Sequence, residues 1–75
     1  MNVIYQVEKG GPWHLHRCRL SGRWEFDSYE AAYTARKLIR DRKAIAARVI
    51  HGTVIKAEFL RNEAEECIQT IGPDL

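Results

Sequence analysis

The chain has few of the residues that build covalently cross-linked or metal-bound scaffolds. Its 75 residues include two cysteines, Cys18 and Cys67, two prolines and one methionine. Two cysteines without a Cys-x-x-Cys pair exclude a disulfide-rich secreted scaffold and the common zinc-finger patterns. We therefore expect both thiols to be reduced and to pack as small hydrophobic side chains.

Long hydrophobic runs are absent as well. No apolar run approaches the ~18 residues that a membrane span needs, and the first ten residues, MNVIYQVEKG, lack the apolar centre of a signal peptide. Gly10-Gly11 has neither the lysine nor the hydroxyl of a phosphate-binding P-loop. We expect a cytoplasmic protein with a single domain over residues 1–75.

The composition is that of an ordinary globular domain, with 45% hydrophobic and 29% charged residues. The net charge of +2 is distributed unevenly. Residues 1–43 contain nine basic and five acidic residues, a balance of +4, whereas residues 44–75 contain three and five, a balance of −2. Positive potential on the first half favours nucleic acid or an acidic protein surface as partner, although a solvated helix has the same composition.

The clearest pattern is the segment 28–43, SYEAAYTARKLIRDRK. Small and apolar side chains at helical spacing predict a buried face, consisting of Ala31, Ala32, Ala35, Leu38 and Ile39. A second row, at offsets of three, four, seven and ten from a tyrosine, predicts an outer face consisting of Tyr33, Arg36, Lys37, Arg40 and Lys43. Asp27 or Ser28 is predicted to cap this helix, since Asp27 and Glu30 have capping-box spacing.

Three strands are predicted before the helix. Residues 2–8 alternate between apolar and polar side chains and end at a turn of two glycines and a proline. Residues 13–20 form the second strand, and residues 23–27 form the third, with Trp24 and Phe26 on its inner face.

The register of the second hairpin stays open at this level. A two-residue loop at 21–22 would place Arg17 opposite Phe26, whereas a three-residue loop at 20–22 would place Arg17 opposite Glu25. We slightly favour the second register because it pairs opposite charges. It leaves Trp13 and Leu15 on the other face of the sheet, where Trp13 would belong to a contact surface.

After the helix, residues 44–60 have strand character. A continuous strand would be about 50 Å long, too long for this domain, so a break at Gly52 is predicted. A three-residue loop at 50–52 keeps the odd positions on one face, and a long strand bent by a bulge at Gly52 is the alternative. Asn62 is predicted to cap a second helix, with Glu65 at the capping-box position. Its inner stripe would consist of Ala64, Cys67, Ile68 and Ile71.

These elements predict an α+β fold. The expected architecture is a four- to five-stranded antiparallel sheet with two helices, in the order β-β-β-α-β-β-α. The helices would cover one face of the sheet, and the other face would be partly open.

Groups that could hold a metal or carry out catalysis are sparse. His14, His16 and Cys18 alternate along the second strand, but this spacing is not typical of structural zinc sites, even with His51 as a fourth ligand. Cys67 lies in a predicted acidic helix, which should raise its pKa. Glu25 and Asp27 could form a paired-carboxylate site, but their spacing is equally that of a solvated strand face. We expect the protein not to be an enzyme and to have no catalytic residue, no metal and no cofactor.

The basic outer row is the best functional signal. Its cations suit phosphates, with Tyr33 stacking or hydrogen-bonding beside them. Arginine side chains of the same row would equally suit an acidic protein groove. The third interpretation is a solvated helix face with no binding function.

Two stretches also resemble a known family. The helix that opens with Ser28 contains Ala35-Arg36-Lys37-Leu38, and a later strand reads His51-Gly52-Thr53-Val54-Ile55-Lys56. Over residues 28–58 this pattern resembles the small phage anti-CRISPR proteins that inhibit type I-F surveillance complexes. Members of that family are of similar size and have a basic helix packed on an antiparallel sheet.

The resemblance implies a stoichiometric inhibitor. Its basic face would lie on the surveillance complex where guide RNA meets target DNA and would block hybridisation. Arg36 and Lys37 match the family's paired basic residues, and the match extends less closely to Arg40, Arg42 and Lys43. The implied partners are Cas subunits of a ribonucleoprotein complex in the cytoplasm of the host cell.

Two alternatives come from other classes of function. One is a small nucleic-acid-binding module that uses the same basic helix. The other is a structural or regulatory subunit that dimerises through the open face of its sheet, with an exposed Trp13 as its mark. The sequence leaves open whether the protein is a monomer or a homodimer.

Overall fold

The computed structural model describes residues 1–17 and 22–72. Its elements are β1 (Asn2–Gln6), β2 (Trp13–His16), α1 (Ser28–Arg40), β3 (Ala46–His51), β4 (Val54–Arg61) and β5 (Cys67–Ile71). All five strands belong to one antiparallel sheet with the order β2-β1-β3-β4-β5. The predicted α+β class and antiparallel sheet are confirmed, but the order is β-β-α-β-β-β with one helix, so the predicted third strand and second helix are wrong.

Helix α1 forms where helical periodicity and capping agree. The Asp27 carboxylate accepts a hydrogen bond from the Glu30 N–H at 2.8 Å, as a capping residue should. The buried side chains are those predicted, namely Ala31, Ala32, Ala35, Leu38 and Ile39. The helix ends at Arg40, three residues before the predicted end, because Arg42 adopts a left-handed backbone conformation with φ of 58°.

The core lies between α1 and one face of the sheet. Helix α1 packs on β1, β3 and β4 and reaches β5, but it does not extend over the edge strand β2. The largest fully buried side chains are Phe59, Ile39, Val3 and Val49. Much of the remaining contact is made by alanines, whose small side chains allow the helix to approach the sheet closely.

The predicted third strand is an irregular segment. It lies beside the chain start, where the Phe26 N–H donates to the Met1 carbonyl at 2.7 Å and the Met1 ammonium donates to the Phe26 carbonyl at 2.7 Å. Phe26 is buried as predicted, but Trp24 is 47% exposed and does not belong to the inner face. Two hydrogen bonds around one residue do not make a strand ladder, so the backbone here satisfies its polar groups without joining the sheet.

The register of the 20–23 hairpin falls partly outside the described residues. Within them, the Arg17 side chain donates to the Gly22 carbonyl at 2.8 Å and lies 5.7 Å from the centre of the Trp24 ring. Arg17 therefore contacts a loop carbonyl and an aromatic ring, and neither of its predicted cross-strand partners, Phe26 and Glu25.

The predicted second helix is the hairpin turn between β4 and β5, followed by β5 itself. The Asn62 carboxamide oxygen accepts from the Glu66 N–H at 2.9 Å, and the Glu65 N–H donates to the Asn62 carbonyl at 2.9 Å. Glu65 has a positive φ of 63°. The asparagine therefore makes a side-chain-to-backbone bond of the kind that also caps helices, but here it closes a turn. Cys67 pairs with Arg61 across the ladder and lies in a strand.

The predicted break at Gly52 is confirmed, with a different loop length. His51 pairs with Val54 across the two intervening residues, so the loop is shorter than the predicted three-residue loop at 50–52. A register shift after Val49 restores the predicted parity, so that Val49 faces Ala57 and both are fully buried. The odd positions of the two strands therefore share the core face from Ala47 to Val49 and from Ala57 to Phe59, whereas in the two pairs next to the turn an odd position faces an even one. The alternative of one long strand with a bulge at Gly52 is wrong, because the irregularity lies after Val49.

The second face of the sheet carries a ladder of polar contacts. The Arg48 guanidinium lies 4.1 Å from the centre of the Trp13 ring and bonds to the Glu58 carboxylate at 2.5 Å. The Thr70 hydroxyl donates to the same carboxylate at 3.0 Å. Trp13 and Leu15 lie on this face, as the favoured register predicted, but Trp13 is half-buried rather than exposed.

Two glycines provide a test of the fold. Gly72 and Gly52 have φ of 97° and 62°, but a Cβ at Gly72 would lie 2.0 Å from the Lys56 carbonyl oxygen, whereas Gly52 has open space around it. We expect Gly52→Ala to cost about 1–2 kcal/mol for its left-handed backbone. Gly72→Ala should cost more, because β4 and β5 must also shift. Urea denaturation measures both, and an equal or smaller loss for Gly72→Ala would contradict the β4–β5 geometry.

Candidate functional site

The predicted basic row lies at the carboxyl end of α1, but it is not one row. Tyr33, Arg36, Lys37 and Arg40 are on the helix. Arg42 and Lys43 follow its end, in the turn where the Lys43 N–H donates back to the Leu38 carbonyl at 2.9 Å. We call Arg36, Lys37, Arg40, Arg42 and Lys43 the helix-end cluster.

Arg36 lies on the side of α1 that faces β4 and β5. Its guanidinium lies 5.0 Å from the centre of the buried Phe59 ring, and the side chain is partly buried. A cation over an aromatic face contributes about 0.5–1 kcal/mol at an exposed site and more when desolvated. Arg36 therefore stabilises the helix-to-sheet contact, and its side chain is only partly exposed to solvent.

Two members of the helix-end cluster are engaged in ion pairs. The Lys37 ammonium lies 3.1 Å from the Asp41 carboxylate, one helical turn on, and Arg42 pairs with Glu65 of the β4–β5 turn. Within residues 1–17 and 22–72, no carboxylate lies within ion-pair distance of Arg40 or Lys43. These two side chains are the cluster's most available cations.

The ionisable groups respond to these neighbours. The hydrogen bond and the charge of Asp41 raise the pKa of Lys37 above its ordinary value. Burial raises the pKa of the Cys67 thiol, while the charges of Arg40 and Arg36 oppose that shift. The predicted direction for Cys67 is thus confirmed, but its cause is burial in a strand and not an acidic helix.

A groove of about 360 Å³ lies on the other side of α1, next to β2. Its lining consists of His16, Phe26, Tyr29, Glu30, Tyr33, Thr34, Lys37, Leu38, Asp41 and Lys43. We call this the aromatic groove. It exists because α1 does not extend over β2 and therefore leaves the helix-facing side of that strand open.

Tyr33, Lys37 and Lys43 were predicted from the sequence as site residues, but the aromatic groove was not. The signal was present in part, because Tyr29, Tyr33 and Lys37 follow one another at intervals of four and must share one side of the helix. The position of Phe26 in the groove wall could not be predicted from the sequence, since it depends on how the irregular segment lies beside Met1.

The other candidate groups have structural contacts. His14 and His16 lie against Tyr5, with ring centres 5.4 and 5.8 Å away, while Cys18 falls outside the described residues. Glu25 pairs with the Met1 ammonium, which lowers the pKa of its carboxyl. In the described part of the chain, no three His, Cys, Asp or Glu side chains are grouped so that they could hold a metal ion.

Comparison of the chain with protein-family models, with curated proteins and with solved structures finds no match in any of the three. In the described ranges 1–17 and 22–72, no helix has the length and apolar character needed to cross a membrane.

The Lys37–Asp41 pair can be tested by titration. In Asp41→Asn the pKa of Lys37 should fall back toward its ordinary value, because the neighbouring negative charge is lost. The pKa of Lys37 is higher in the folded state than in the unfolded state. The ion pair therefore stabilises the fold fully below the unfolded-state pKa, and this stabilisation is lost as the pH rises through the folded-state pKa. NMR titration of the lysine side-chain carbons measures the pKa of Lys37. Glu65→Gln serves as control, and an unchanged Lys37 midpoint in Asp41→Asn would disprove the pairing.

Proposed function

We propose that this chain is a small, non-enzymatic inhibitor of the anti-CRISPR type. It occupies the surface of a CRISPR–Cas surveillance complex where guide RNA meets target DNA, and it does so with the helix-end cluster. The observation that carries the proposal is the position of Arg40 and Lys43, which have no paired carboxylate among the described residues and lie where α1 ends.

The charges suit this task. The helix-end cluster has five cations, and Asp41 and Glu65 are the carboxylates paired with it, which leaves a balance of +3. Phosphates of an exposed guide RNA provide the complementary charge, and counterion release favours their binding. The packing of α1 on the sheet fixes the backbone positions of the cations on the helix, so no backbone ordering of α1 is needed on binding.

The resemblance over residues 28–58 supports the choice of partner. Of its matched basic pair, Lys37 is exposed, whereas Arg36 is partly covered by its contact with Phe59. A steric inhibitor needs no catalytic group, which agrees with the small size of the chain and its charged surface.

A nucleic-acid-binding module is the second candidate. The observation that favours it is the proximity of aromatic and basic groups, since Tyr33 lines the same groove as Lys37 and Lys43. The dimerising subunit has less support, because Trp13 is half-buried beneath Arg48 on the open face of the sheet.

Charge reversal tests the inhibitor proposal. We expect Arg40→Glu/Lys43→Glu to weaken capture of a purified type I-F surveillance complex by about tenfold or more, because two attractive contacts become repulsive. Arg36 is left unchanged, since its substitution would also remove the contact with Phe59. Surface plasmon resonance with immobilised protein measures the affinity.

The matched control is Lys9→Glu/Lys56→Glu, which changes the net charge equally at exposed positions away from α1. It should keep the unmodified affinity. Equal loss in both double variants would mean that overall charge, not the helix-end cluster, drives capture. No capture by the unmodified protein, together with undisturbed target-DNA binding by the complex, would disprove the proposed function.

A further inference from the structure

The aromatic groove has a chemical character that the inhibitor proposal does not use. Tyr29 and Tyr33 are 75% and 57% exposed, and both belong to its wall. Phe26 and Leu38 are buried and also line it. Two phenol rings thus expose large apolar surfaces beside an apolar wall, an arrangement that stabilises a planar ligand by stacking and burial.

The charged residues of the groove are arranged along α1. The positions of Tyr29, Tyr33 and Lys37 are four residues apart, so each is about 6 Å further along the helix axis than the previous one. Lys43 follows the helix end and lines the same groove. The aromatic part therefore lies toward the start of the helix and the cationic part toward its end.

Glu30 and Asp41 also line the aromatic groove. Carboxylates repel a peptide carboxylate and a phosphate alike, so their charge does not select between these ligands. They can accept hydrogen bonds from the amino and imino groups on the edge of a nucleobase. The two exposed phenol rings offer a surface on which a base can stack and an acidic side chain cannot, and this favours a nucleotide over an acidic peptide as occupant.

We propose that the aromatic groove binds an unpaired nucleobase of a single-stranded nucleic acid, with Tyr29 and Tyr33 stacking on the base and Lys43 binding the adjoining phosphate. This inference rests on the proposed function and deepens it, since it assigns the ligand class of the groove beside the helix-end cluster. The volume of about 360 Å³ is of the size found for small-molecule sites. A base inside a duplex cannot enter, because both its faces are already stacked.

The experiment uses fluorescence anisotropy with the full chain. The probes are a labelled single-stranded RNA of about twelve nucleotides, the DNA of the same sequence and the matching duplex. The unmodified chain should bind both single strands more tightly than the duplex. Tyr29→Ala and Tyr33→Ala should each raise the Kd for single strands about five- to 150-fold, because stacking contributes about 1–3 kcal/mol per base.

The control variants separate stacking from other effects. Tyr29→Phe and Tyr33→Phe keep the ring and should keep the affinity. Both tyrosines are exposed, so truncation leaves the core intact, and circular dichroism of each variant verifies folding. Lys43→Gln should weaken binding of both single strands and should reduce the dependence of the affinity on salt concentration.

Three results would overturn the inference. They are equal affinity for single strand and duplex, unchanged affinity in both alanine variants, and absence of any binding to either single strand at about 50 mM salt. Failure here is distinguishable from failure of the proposed function. If the alanine variants still capture the surveillance complex as the unmodified chain does, the inhibitor proposal stands without a base in the groove.

Discussion

The contact between α1 and the sheet is the constraint on which the other features depend. It is made largely by alanines, and Ala31 and Ala35 on the helix and Ala47 and Ala57 on the sheet are all fully buried. Small side chains let the two layers approach closely, which suits a chain too short to bury a thick core. Because the contact is narrow, α1 covers the central strands but leaves β2 uncovered. The aromatic groove is the direct consequence of that uneven coverage.

The same packing separates the outer surface of α1 into two sides with different properties. On the side of β4 and β5, Arg36 lies over the Phe59 ring and shares in the stability of the fold. On the side of β2, Tyr33 and Lys37 border open space. Arg40 lies between the two sides, exposed and without a paired carboxylate in the part of the chain that the structure describes. In a helical projection, these four side chains (Tyr33, Arg36, Lys37 and Arg40) share one outer face. A projection of the helix alone cannot separate them, because it contains no information about which strands lie beneath each side.

Side-chain spacing and capping residues correctly predicted the elements that depend mainly on neighbouring residues in the sequence. The capping residue Asp27, the buried face of α1 and the alternating core positions near Val49 follow from side-chain spacing, which the final packing preserves. The prediction of a second helix was wrong, because Asn62 and the glutamates after it are compatible with both a helix start and a tight turn. The pairing of β5 with β4 favours the turn. The conformation of the irregular segment at 22–27 could not be predicted either. Its partner is Met1, about 25 residues earlier, and long-range pairing leaves no periodic trace in a single sequence.

The candidate site depends on how α1 ends more than on the periodicity that defines it. A helix continued to Lys43 would place that side chain three residues, or a little less than one turn, beyond Arg40 on the outer face. Instead the left-handed conformation of Arg42 reverses the backbone, and the N–H groups of Lys43 and Ala44 both donate to the Leu38 carbonyl, at 2.9 and 3.1 Å. The reversal brings Lys43 to the groove that Lys37 borders. A non-glycine residue is seldom left-handed, and here the pairing of Arg42 with Glu65 accompanies that conformation. The β4–β5 turn, which was predicted to be a helix, thus supplies the carboxylate that pairs with one cation of the helix-end cluster.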